Sequence, residues 1–70
     1  MKLRQKDIIA MQYPKGTRIR LIKMNEDPRP LPEGLCGTVD FVDDIAQIHM
    51  KWDNGSTLAL VPECDEFEVI

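Results

Sequence analysis

IHMKWDNGSTLAL, Ile48–Leu60, decides how this chain folds. Two apolar-rich runs flank Asp-Asn-Gly, and the length of the turn fixes which side chains face inward. Asn54-Gly55 alone would form a two-residue hairpin loop, the usual outcome for Asn-Gly. That loop pairs Trp52 with Thr57, Met50 with Ala59 and Ile48 with Val61. Leu58 and Leu60 then point away from Trp52, Met50 and Ile48. Side chains alternate strictly along a strand, so a slip of one residue sends a whole apolar set to solvent. A three-residue loop, Asp53-Asn54-Gly55, pairs Trp52 with Ser56, Met50 with Leu58 and Ile48 with Leu60. All the large apolar residues of the segment then share one face. The residue types agree, because a type I turn accepts Asp and Asn at its centre and Gly follows in the left-handed conformation as a bulge. The sequence therefore predicts a three-residue turn with Trp52 toward the core.

The same alternation places the other elements. TRIRLIKM, Thr17–Met24, reads as a half-buried strand with Ile19 and Leu21 inward and Arg18 and Arg20 outward. TVDFVD, Thr38–Asp43, is a second strand with Val39 and Phe41 inward. Ile45–Trp52 is a third, with Ala46, Ile48, Met50 and Trp52 on one face and Gln47, His49 and Lys51 on the other. A two-residue turn at Asp43-Asp44 pairs Val42 with Ile45, Phe41 with Ala46 and Val39 with Ile48. TLALV, Thr57–Val61, is a fourth strand, and FEVI, Phe67–Ile70, a fifth. Ahead of them, Lys2–Gln12 has no Gly or Pro and reads as a short helix with Leu3, Ile8 and Met11 as its apolar stripe. Tyr13-Pro14 ends it, because the residue before proline is driven out of helical geometry. Between the first two strands, Pro28, Pro30 and Pro32 impose an extended, stiff path on a long loop.

Five short strands with one long loop after the first give a mainly β fold, a small SH3-like five-stranded barrel with a short N-terminal helix. Residues 1–13 form a helical arm and residues 14–70 the barrel. A chain of 70 residues makes one domain at most, and at this size only about 60% of the unfolded surface is buried. No apolar run reaches the ~18 residues of a membrane span. The N-terminal stretch lacks the apolar core and cleavage site of a secretory signal, so a cytoplasmic location is the expectation. Cys36 and Cys64 are too few for a disulfide scaffold and would stay reduced there.

KGTRIRLIKM, GLCGTVDFVDD, IHMKWDNGSTLALVP and DEFEVI, in this order, resemble a family of small, uncharacterised bacterial and mobile-element proteins classed as a domain of unknown function. The likeness runs from Tyr13 to Ile70 and is most specific at W-D-N-G-S. That family typically has Gly where this chain has Ala46. The resemblance implies no activity and no site residues. GLCGTV, Gly34–Val39, is also similar to the G-x-x-G-T-V step of KOW-type and CAP-Gly-type modules. That likeness implies contacts with RNA, ribosomal or transcription partners, or peptide tails.

The chemistry the residues could support is limited. Cys36, His49 and Cys64 fall into no close pair of the kind zinc sites use, so no metal or cofactor is expected. Asp43-Asp44 is turn chemistry, and adjacent surface acids lack the different environments an acid/base pair needs. No nucleophile accompanies the single His by motif. No catalytic residue is assigned, and an enzyme is not expected.

What remains is a binding surface. Arg18, Arg20, His49 and Lys51 lie on outward strand positions, and Arg29 and Leu31 sit in the proline-rich loop. The net charge is −3, with +2 over residues 1–13 and −5 over the rest. An acidic body argues against nonspecific nucleic-acid binding, whose affinity comes from phosphate neutralisation. The leading expectation is a non-enzymatic protein or peptide interaction module. The alternatives are a KOW-like accessory nucleic-acid binder using Arg18, Arg20 and Lys51, and an oligomer-forming protein that pairs as a homodimer through its N-terminal helix.

Overall fold

The computed structural model describes residues 4–25 and 30–70. Helix α1 (Gln5–Gln12) precedes four strands: β1 (Arg18–Lys23), β2 (Cys36–Val42), β3 (Ile48–Trp52) and β4 (Glu66–Val69). The strands form one antiparallel sheet in the order β3-β2-β1-β4. Hairpin neighbours pair in sequence, and β4 returns to lie beside β1. Among the described residues the sheet has four strands, where five in a barrel are expected, and is not closed on itself.

Helix α1 begins where the Arg4 backbone N–H donates to Asp7 Oδ2 at 3.3 Å, as an acidic third residue commonly does at a helix start. Its buried residue is Ile9, whereas Ile8 and Met11 face solvent. The expected apolar stripe on Ile8 and Met11 is therefore not the inward one, and Leu3 lies outside the described residues. Lys6 Nζ donates to Asp44 Oδ1 at 2.8 Å, tying the helix to the β2–β3 connection. Tyr13 meets Phe67 edge to face, with ring centroids 5.4 Å apart.

The core lies on one face of the sheet. Ile19 and Leu21 of β1, Val39 of β2, Ile48, Met50 and Trp52 of β3, and Leu60 are all buried, joined by Ile9 and Met24. Gly37 is paired with Trp52 across β2 and β3. The indole lies so close that a Cβ on Gly37 would stand 2.7 Å from Trp52 Cε3.

The Asp53-Asn54-Gly55 turn has the expected length. Trp52 N–H donates to Ser56 O and Gly55 N–H to Trp52 O, both at 3.0 Å, and Gly55 has φ +90°. Ile48 and Leu60 exchange backbone bonds of 2.9 and 2.8 Å. The fourth strand expected over Thr57–Val61 goes no further than this isolated bridge. Side chains draw its backbone groups away. Trp52 Nε1–H donates to Leu58 O at 2.8 Å, Ser56 Oγ accepts from Leu58 N–H at 3.3 Å, and Asp65 Oδ2 accepts from Val61 N–H at 2.8 Å. The Leu58 carbonyl accepts from the indole, and no backbone bond joins it to Met50.

The β2–β3 hairpin departs from expectation twice. Val39 pairs with Met50 but Phe41 pairs with His49, so Asp40 is an extra residue in β2. Such a bulge inverts the alternation beyond it. Phe41 therefore faces outward, 52% exposed, and not inward as expected. Val42 takes the inward place against the core. The connection is also longer than two residues, because β3 starts at Ile48 and Asp43 N–H donates to Gln47 O at 3.0 Å. Val42 consequently pairs with Ile48, not Ile45. Within the loop Ala46 sits at φ +63°, the left-handed region.

Two substitutions probe this framework. Gly37→Ala forces the indole or the strand to move, and overpacking of this kind costs about 1–3 kcal/mol; thermal melting should fall accordingly. Ala46→Gly keeps the left-handed conformation and removes its cost to a residue with a Cβ, roughly 1–2 kcal/mol; the melting temperature should rise, and a fall would contradict the strain assigned to Ala46.

Candidate interaction surface

Among the described residues no pocket is present, and no three His, Cys, Asp or Glu side chains come together to hold a metal. No helix among the described residues is long and apolar enough to cross a membrane. The side chains singled out for chemistry meet instead on the outer face of the sheet.

Register brings Arg18 and Lys51 to either side of Thr38, with Arg20 next along β1. The two arginines are occupied. Arg18 forks onto Asp53, Nη1 to Oδ1 at 2.9 Å and Nη2 to Oδ2 at 2.7 Å, and Nη1 also reaches Thr38 Oγ1 at 2.9 Å. Arg20 binds the Glu68 carboxylate through Nε, at 2.7 Å, and Nη2. The hydrogen bond from Arg18 holds the Asp53 carboxyl below its ordinary value, against a smaller opposing effect of desolvation. Lys51 is exposed and forms no ion pair among the described residues. The outer face is thus a mosaic of paired charges and not a basic stripe.

At the end of β2 the bulge turns Phe41 onto this face, where its ring stacks on His49. The centroids are 4.3 Å apart and the planes 6° from parallel. Asp43 fixes the imidazole: Nε2–H donates to Asp43 Oδ2 at 2.8 Å. The other carboxylate oxygen accepts from Ile45 N–H at 3.1 Å and Gln47 N–H at 2.9 Å. One carboxylate therefore shapes the loop and orients the ring beneath Phe41. Partial burial pushes the Asp43 carboxyl up, but the bonds from Gln47, His49 and Ile45 outweigh it and hold the carboxyl below its ordinary value. Neighbouring Asp44 is lowered mainly by its hydrogen bond from Lys6.

Of the residues expected on the binding surface, Arg18, Arg20, His49 and Lys51 share the outer face. Leu31 packs against the core instead and anchors the proline-rich loop. Arg29 lies outside the described residues. Phe41 was assigned to the core by simple alternation. The signal that could have found it is the adjacent pair Phe41-Val42, two large apolar residues that cannot both face inward in an unbroken strand.

The chain belongs to a family described as a domain of unknown function (DUF4314), whose model matches residues 4–70. No curated protein and no solved structure matches it.

Asp43 supplies a pH signature. Its folded value is depressed, so its contribution to stability is fully present above the ordinary carboxylate value of about 4. That contribution is lost as pH falls through the depressed folded value. In a carboxyl NMR titration Asp43 should titrate below a typical aspartate, and His49→Ala should move its midpoint upward. An unmoved midpoint would remove His49 from the account.

Proposed function

We propose that this member of the DUF4314 family is a small, non-enzymatic interaction module that presents Phe41 to a partner protein. The observation that carries the reading is the half-exposed Phe41 ring, held flat against His49 and locked through Asp43. A rigid exposed aromatic gives a partner apolar contact area with little ordering cost, which is why aromatic residues dominate the energetic centres of interfaces. Farther along the same face, Arg18 pairs with Asp53 and Arg20 with Glu68, polar surroundings of the kind common at such surfaces. Asp43 and Asp44, the adjacent acids, are engaged in the turn and in ion pairs, which supports a binding role.

The strand order also supports an SH3-like scaffold. Consecutive hairpins β1-β2-β3 are flanked by β4 beside β1, and Leu60 bridges Ile48 at the place a fifth strand would take. Such scaffolds leave specificity to the surface that each one carries. A second reading has its own observation. An exposed aromatic next to the unpaired Lys51 could stack a nucleobase, as in single-strand binders. The carboxylates on Arg18 and Arg20 weigh against it, because they cancel the field that draws phosphate.

Phe41→Ala tests the proposal. The ring is outside the core, so the melting temperature should shift little, by about 0.5 kcal/mol of stability or less. Affinity capture from the producing cells should recover a protein with the parent chain and lose it with the variant. Identical capture by both chains would overturn the reading. Recovery of nucleic acid that is released as salt rises would favour the second one.

A further inference from the structure

The last strand leaves one side of the sheet open. β4 pairs with β1 through Ile19–Val69, Arg20–Glu68 and Leu21–Phe67. Ile70 N–H donates to Arg18 O at 3.0 Å. Backbone groups alternate sides along an antiparallel strand. Glu68 and Ile70 therefore spend theirs on β1, while Phe67 and Val69 turn theirs to the other side. Among the described residues no strand pairs with that side. Exposed edges are normally protected by charged side chains, Lys above all, by Pro, by a bulge or by keeping the strand short, and β4 has two glutamates and four residues in that role. EFEVI, Glu66–Ile70, has neither Lys nor Pro, and Val69 and Ile70 are each 55% exposed.

The charges decide what fits there. A second copy joined antiparallel through Phe67 would set Glu68 against Glu68, or Glu66 against Glu68; like charges directly opposite are destabilising, and although Arg20 offsets the charge of Glu68, Glu66 forms no ion pair among the described residues. The complementary occupant carries Lys or Arg opposite the glutamates and apolar residues opposite Phe67 and Val69. The chain itself shows that such a strand suits β4. On the paired side, RIRLIK places Arg20 on Glu68 with charge-assisted bonds, Leu21 beside Phe67 and Ile19 beside Val69.

We propose that the open edge of β4 accepts an extended segment of a partner protein in which basic and apolar residues alternate, adding a strand beside β4. Backbone bonds to Phe67 and Val69 supply affinity, as in other strand-addition complexes. Glu66 selects for positive charge, and an apolar side chain of the incoming strand covers Val69. The site is separate from Phe41, because β1 lies between β2 and β4.

The test uses the full chain, labelled for NMR, and a capped synthetic peptide of alternating arginine and valine. Adding the peptide should shift the Phe67 and Val69 amides and slow their hydrogen exchange. Glu66→Lys should weaken binding several-fold, and Phe41→Ala should leave it unchanged. Methylating the peptide nitrogens that face the edge should abolish binding. Equal binding of the methylated peptide, or of one with glutamate in place of arginine, would overturn the proposal. So would shifts confined to the Phe41 face. Slow exchange at Phe67 and Val69 without peptide, together with a dimer mass in sedimentation, would assign the edge to a second copy instead.

Discussion

The close seating of Trp52 on Gly37 is the contact on which the rest of the structure depends. With no Cβ at position 37, the indole lies against β2 at a separation that no other residue allows. The ring closes the core formed by Ile19, Val39, Met50 and Leu60. Burying a side chain of this size is among the largest single contributions a small domain has, and truncating one typically costs about 3–5 kcal/mol. The indole N–H must still be satisfied, because a buried donor without a partner is costly. It takes the Leu58 carbonyl. The indole bond sits where the ladder of the last hairpin is interrupted, between the Trp52–Ser56 bond and the Ile48–Leu60 bridge.

Legibility in the sequence followed parity. The Asp53-Asn54-Gly55 turn was readable because five large apolar residues had to share one face, and only one loop length allows that. The outward positions of Arg18, Arg20, His49 and Lys51 came from the same alternation. Phe41 did not, because the bulge at Asp40 breaks the period inside the strand. The long β2–β3 loop was hidden for a related reason. Its shape comes from a carboxylate, Asp43, that bonds two backbone N–H groups and an imidazole at once. No periodicity records that arrangement. The missing strand at Thr57–Val61 has a similar cause: its residues alternate correctly, but Trp52, Ser56 and Asp65 compete for its backbone groups.

Composition counts the charges but does not place them. Alternation sets Arg18, Arg20 and Lys51 outward without saying which carboxylates meet them. Cross-strand register brings Asp53 and Glu68 within reach of the two arginines and leaves Lys51 apart. Exposed ion pairs of this kind stabilise only weakly. Their effect here is on the surface field, since each arginine is balanced where it stands. An aromatic ring set in a balanced mosaic is suited to protein contact, whereas phosphate binding draws on uncompensated positive charge.

The two sides of the sheet are finished by different means, and this links architecture to function. Beside β3, side chains satisfy the backbone of the segment bridged to it: the Trp52 indole holds Leu58, and Asp65, itself buried, holds Val61. That side is closed by bonds that a competing strand would have to break. Along β4 no comparable capture occurs among the described residues, and the glutamates there repel a like-charged copy while Phe67 and Val69 keep backbone groups turned outward. Under the two proposals the outer side of β4 and the Phe41 ring divide the work, one taking a partner by strand addition and the other by aromatic contact.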